Sequence, residues 1–122
     1  MNILVVEPGK TPYRKDVGDS LEAMQSIVGG LIQAVFPFNV EPVALVCNEE
    51  AKLDDLPPNR ALRDEEGQIY DIICGTFFLC YAPPDSENFE SLTEEQIDRY
   101  TRLFLHPEVF LRVNGEIVAI PV

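Results

Sequence analysis

Apolar positions along the chain fall into short blocks divided by clusters of Pro, Gly, Asn and Asp, and the spacing inside each block sets the element it predicts. Ile3 to Val6 is a β-branched run closed by Glu7-Pro8-Gly9, the pattern of a buried strand entering a turn. The stretch from Lys10 to Asp16 is polar. Asp19 or Ser20 then stands where a helix cap is wanted, with Glu22 at capping-box spacing from Asp19. Leu21, Met24, Ile27 and Val28 follow at helical period, and Gly29-Gly30 stops the helix. Leu31 to Phe38 and Val43 to Cys47 read as a pair of strands forming a hairpin, with Pro37, Asn39 and Pro42 in the turn.

From Asn48 to Gly67 the chain is irregular and charged, but Leu53, Leu56 and Leu62 predict a loop anchored to the core. Asp71 to Tyr81 reads as one long central strand, with Gly75 marking a bulge or a close backbone approach. Thr93 and Gln96 form a capping box for a second helix, whose apolar face is Ile97, Tyr100, Leu103 and Phe104, running through Leu105. Glu95 with Arg99 and Asp98 with Arg102 have the spacing of exposed ion pairs, and His106-Pro107 ends the helix, with His106 as the expected cap. Phe110 to Val113 and Glu116 to Ile120 flank Asn114-Gly115, the preferred chemistry of a type I′ hairpin turn. This order predicts an α+β fold: a single mixed or mainly antiparallel sheet of about five to six strands, with both helices packed on one face. Residues 1–122 make one globular domain of ordinary composition, 46% hydrophobic and 25% charged.

Charge narrows the function classes. Nine bases against 21 acids give −12, so neither nucleic acid nor an anionic membrane is an expected partner, because both are bound through Lys and Arg. The acids are concentrated in residues 41–71 and in an acid-only stretch from Asp85 to Asp98. Cys47, Cys74 and Cys80 form an odd set inside apolar runs, which suits reduced core thiols and a cytoplasmic setting. The N-terminal apolar run is too short for a signal peptide or a membrane span.

Candidate chemistry is sparse. Gly9-Lys10-Thr11 lacks the earlier Gly of a phosphate loop, because Leu4 stands there, and Pro12 follows where a helix should open. One His, the absence of a base next to any Cys, and acidic clusters without calcium-loop spacing leave no catalytic or metal-binding set. No cofactor or metal is expected, and the chain reads as a non-enzyme. The densest polar group beside predicted strands is Asn48, Glu49, Lys52, Asn59, Arg60 and Thr76. Turn chemistry and local ion pairing account for most of it. In a binding reading, Arg60 is a forked donor to an anion or a partner backbone, Asn48 and Thr76 orient the ligand, and an enzyme built there would use Glu49 as base with Lys52 holding an anion.

Five strings in order, Val6-Glu7-Pro8-Gly9-Lys10, Leu21 to Gly30, Asn48-Glu49-Glu50-x-Lys52-Leu53, Leu56-Pro57-x-Asn59-Arg60 and Asp71-Ile72-Ile73-x-Gly75-Thr76-Phe77, give residues 3–105 a resemblance to a domain-of-unknown-function family of bacterial, phage and conjugative-element genomes. Ala51 and Asp55 stand where that family often carries Gly. The resemblance implies a setting in mobile DNA and brings no catalytic residues. The resulting expectation is an accessory or interaction module with a protein partner. A nucleic-acid mimic acting on a host DNA-binding or restriction protein is a second expectation, and a small-ligand site around Asn48 to Arg60 is a third. Homodimerisation through an exposed strand edge stays open.

Overall fold

A computed structural model describes all residues, 1–122. The central layer is a five-stranded antiparallel sheet in the order β2 (Tyr13–Asp16), β1 (Asn2–Val6), β7 (Phe77–Tyr81), β4 (Val43–Asn48) and β3 (Ile32–Val35). Two further strand pairs lie outside it: β5 (Pro58–Arg63) with β6 (Ile69–Cys74), and β8 (Glu108–Val113) with β9 (Glu116–Pro121). The strands are therefore divided over three sheets rather than gathered into one.

The helices lie on opposite faces, against the expectation of a single covered face. Helix α1 (Leu21–Val28) places Met24 and Val28 on Ile3, Val5, Ala44, Val46, Phe78 and Cys80. Helix α2 (Glu94–Leu103) places Ile97 and Tyr100, with Phe104 just beyond its end, on Leu4, Val6, Val43, Leu45, Phe77 and Leu79; Leu62 of β5 and Ile73 of β6 complete that layer. Both faces of β1, β4 and β7 are consequently buried, which is why these strands read as unbroken apolar runs instead of alternating. Aromatic packing is concentrated on the α2 side, where Phe77 and Phe104 meet edge to face at 5.4 Å and the tilted rings of Phe38 and Tyr100 lie 4.6 Å apart.

The caps follow the sequence closely. Ser20, not Asp19, caps α1 by accepting from the Ala23 amide, and Gly29 closes it in the left-handed conformation. The Thr93–Gln96 capping box of α2 is present in both directions. Asn114 and Gly115 both take positive φ, as a type I′ turn demands.

Three segments depart from expectation, and one is β5, a strand inside the stretch from Asn48 to Gly67 expected to be an irregular loop. The polar segment before α1 contains β2, an edge strand with every residue exposed, whose charges discourage further pairing. The single strand expected over Asp71–Tyr81 is cut at Gly75 into β6 and β7, which belong to different sheets. Gly75 has φ of 75°, and a Cβ there would come within 2.8 Å of Leu56 Cδ1. Gly75→Ala is expected to cost about 2 kcal/mol through backbone strain and the Leu56 clash, read from the urea unfolding midpoint.

Candidate functional site

Two polar residues of β5, Asn59 and Arg60, are buried inside the molecule. A β-bulge between Pro58 and Arg60 breaks the two-residue alternation, so that Asn59 and Arg60 both point inward, at 0% and 1% exposure. Asn59 Nδ2 donates to the carbonyls of Val6 and Gly75, each at 2.9 Å, tying β5 to the end of β1 and to the β6–β7 hinge. The Arg60 guanidinium spends all its donors. Nε and Nη2 bond the Phe104 carbonyl at 3.2 and 2.9 Å, Nη2 also reaches the Lys10 carbonyl at 2.6 Å, and Nη1 donates to Asn59 Oδ1 and O. Burial lowers the Arg60 pKa from its ordinary value, and the carboxylate of Glu108 opposes that shift. The cap at the end of α2 is thus Arg60, a fixed cation on the negative end of the helix, rather than His106, which is exposed. No donor of Arg60 is free for a ligand.

The other predicted site residues lie apart from this pair. Asn48 is buried, donating to the Val28 carbonyl at 3.3 Å and accepting from the Glu50 amide at 2.8 Å. Lys52 pairs with Asp71 at 2.7 Å in the open, and that hydrogen bond raises the Lys52 pKa. Asn48, Glu49 and Lys52 share a recess of about 140 Å³ with Cys47, Asp71 and Cys74; Asn59, Arg60 and Thr76 are outside it. That volume is well below the roughly 300–1,000 Å³ of small-molecule sites. Burial pushes all three thiols up, Cys80 to about 12, so none has the lowered pKa of a reactive cysteine. Of the leucines expected to anchor the loop, Leu62 is buried but Leu53 is 83% exposed.

A larger concave surface lies on the α2 side. It opens as a groove of about 1,170 Å³ between the 36–40 segment, α2 and the β5–β6 turn, and continues into a pocket of about 340 Å³ floored by Phe104, Ala61 and Leu62. Pro37, Phe38, Arg63, Tyr70 and Leu103 belong to both parts, which makes them one continuous feature. Phe36, Val40, Tyr70 and Leu103 stand exposed along it. One wall carries Asp64, Glu65 and Glu66, and the other carries Arg99 and Arg102. The ion pairs expected along α2 do not form. Arg99 reaches Glu41 instead, Arg14 takes Glu94, and Arg102 has no ion pair.

Glu41 fixes the basic wall. Its carboxylate accepts from Gln96 Nε2 at 2.8 Å, from Tyr100 Oη at 2.7 Å and from Arg99. Burial alone would push the Glu41 carboxyl up, but these three hydrogen bonds together hold it below its ordinary value, while burial and Glu41 push the Tyr100 hydroxyl up. The sequence contained part of the signal for this groove. Phe36 and Val40 are large apolar residues beside Pro37 and Asn39, and Arg99, Arg102 and Leu103 fall on neighbouring turns of α2. What it lacked was the position of the β5–β6 hairpin, which supplies the second wall.

Fold and surface together define a small α+β protein, built on an antiparallel sheet covered on both faces, with a charged-walled apolar groove on one side. The chain belongs to a family described as a domain of unknown function, DUF3846, whose model matches residues 1–105. No curated protein and no solved structure matches the chain. No helix is long and apolar enough to cross a membrane.

Because Lys cannot reproduce the planar fork, Arg60→Lys is expected to lower unfolding free energy by about 2–4 kcal/mol in urea titration. The Glu41 carboxyl, depressed in the fold, contributes stability that is present above its unfolded pKa and lost as pH falls through the folded value. Urea midpoints measured from about pH 7 down to about pH 3 should therefore fall more steeply for the natural chain than for Glu41→Gln.

Proposed function

We propose that the protein is a non-catalytic protein-interaction module that holds a segment of its partner in the groove between α2 and the β5–β6 turn. The observation that carries this reading is the continuous groove itself: exposed Phe36, Val40, Tyr70 and Leu103 run between an acidic wall and a basic wall and lead into the 340 Å³ pocket. Exposed apolar residues scattered singly need no explanation, but a contiguous set beside a pocket is the usual mark of a binding surface. The partner segment has a defined chemistry. It carries an apolar or aromatic anchor for the pocket, basic side chains towards Asp64, Glu65 and Glu66, and acidic ones towards Arg99 and Arg102.

This reading takes the place of a ligand niche around Asn48 to Arg60, because Asn59 and Arg60 are consumed by internal hydrogen bonds. It also does not use the acid-only stretch as a mimic of nucleic acid. Within that stretch Glu94 is paired with Arg14, and the backbone of Glu90 bridges to Tyr81. Three free thiols support a reducing, cytoplasmic setting, and an accessory role in mobile DNA is part of the same proposal, resting on the motif resemblance.

A displayed peptide library selected on the full chain tests this reading. Selected peptides are expected to share an aromatic or large aliphatic anchor flanked by charge of both signs. Leu103→Asp and Arg102→Glu, both at exposed positions, should each weaken them more than about tenfold, with Lys52→Ala neutral. Peptides that bind these variants as well as the natural chain, or a library that yields none, would overturn it.

A further inference from the structure

The inner end of the α2 groove differs from the rest of it in both wall and charge. Among the residues that line only the pocket of about 340 Å³ are His106, Glu108 and Pro121, which lie beyond the family-matched residues 1–105 and belong to the base of the C-terminal hairpin. Glu108 fastens that base to β5, accepting from the Ala61 amide at 3.0 Å and from Arg63 Nη2 at 2.6 Å. The two charged walls of the groove, Asp64 to Glu66 and Arg99 with Arg102, stop short of the pocket. The hairpin base therefore closes the groove at the end away from Phe36 and Val40, and a chain that follows the groove inwards meets a wall.

The charged and titratable side chains of the pocket are Arg60, Arg63, Tyr70, His106 and Glu108. Glu108 is the single acid against two arginines, so the lining is net positive in a molecule of net charge −12. Arg60 is held by carbonyl and amide oxygens rather than by a carboxylate, so its charge is solvated by dipoles and not cancelled. It has no donor to give, but its field favours an anion close by. The donors come from its neighbours. Arg63 is exposed and spends Nη2 on Glu108, which leaves the rest of its guanidinium fork for a ligand, and the exposed His106 adds its ring. Phe38, Leu103 and Phe104 give the same pocket its apolar lining.

We propose that the pocket receives the C-terminal residue of the partner protein, with an apolar side chain against Phe38, Leu103 and Phe104 and its α-carboxylate on Arg63 and His106. This rests on the groove as a binding surface and fixes which part of the partner enters it. A closed end admits a chain terminus and turns away a segment that has to continue past it. Charge then decides between the two termini, because an N-terminal amine would meet a lining of its own sign, whereas a carboxylate meets a guanidinium of matching planar geometry. An internal apolar residue would fill the lining but leave the positive charge without a counterpart. The residues that precede the terminus lie outwards, between Asp64 to Glu66 and Arg99 with Arg102.

Random-sequence peptides with free C-termini, selected on the full chain, test this. Each selected sequence is made as the free acid and as the C-terminal amide, and both are measured by fluorescence anisotropy. The acids should end in a large aliphatic or aromatic residue and bind more than about tenfold tighter than their amides, the loss that follows removal of a charge-assisted pair. Arg63→Gln should bring the acid down to the affinity of the amide, and His106→Gln should narrow the gap, while Lys52→Ala changes neither. N-acetylphenylalanine, which keeps the ring and the carboxylate but not the chain, should bind more than about tenfold more weakly than the peptides; equal affinity would overturn the proposal in favour of a small carboxylate ligand. Amides that bind as tightly as acids, with both weakened by Leu103→Asp, would overturn it and leave the groove reading standing. Peptides indifferent to Leu103→Asp as well would overturn both. A free-terminus selection without binders would also overturn it, and the displayed library described above then decides the groove reading separately.

Discussion

The structure depends on one buried cation. Arg60 has no ion pair of its own, yet its guanidinium satisfies every donor on oxygens of the protein, and those oxygens come from different parts of the chain: the end of α2, the turn after β1, and its neighbour Asn59. A charge taken out of water is stable only when its solvation is replaced, and here helix-terminal and loop carbonyls replace it. The negative end of α2 contributes through its dipole, and Glu108 adds a nearby opposite charge. Asn59 extends the junction to Val6 and Gly75, so the bulge on β5 joins the β5–β6 hairpin to the central sheet and to α2 through directed hydrogen bonds rather than apolar contact alone.

Placing that junction creates the groove beside it. With the β5–β6 hairpin held against the end of α2, its acidic turn at Asp64 to Glu66 faces Arg99 and Arg102, and Tyr70 stands near Leu103. Glu41 holds the other side by binding Gln96, Arg99 and Tyr100 together. The polar residues with the strongest sequence signature therefore work as scaffold, and the groove they shape is lined by residues with a much weaker one.

Legibility in the sequence followed how local each determinant is. The N-terminal capping box of α2, the Gly29 stop and the Asn114-Gly115 turn depend on a few adjacent residues, and the structure has all of them, whereas the expected His106 cap at the other end of α2 is replaced by the distant Arg60. The apolar runs of β1, β4 and β7 were legible as strands because burial on two faces leaves no polar alternation. Strand β2 was hidden because it is an edge strand of Tyr, Arg, Lys and Asp. Strand β5 was hidden because Pro58-Asn59-Arg60 has turn chemistry, and only a tertiary junction makes a buried strand of it. Gly75 was correctly marked as a place where backbones come close, but an apolar run on both sides of it gives no local sign that the chain changes sheet there. Amphipathic periodicity specifies that a helix packs, not on which face of a sheet, so the opposed placement of α1 and α2 lay outside its reach. The candidate site was legible only as residues: Asn48, Glu49 and Lys52 do share a recess, while Asn59 and Arg60 are drawn into the interior by the bulge.

Arg60 is a structural cation sealed inside the fold, and side-chain hydrogen exchange followed by NMR measures this without changing a residue. The Arg60 Nε–H should exchange as slowly as the core amides of β1, β4 and β7, opening only when the molecule unfolds. Exchange as fast as that of the exposed Arg112 would contradict it, and would return the guanidinium to the set of groups free to bind a ligand.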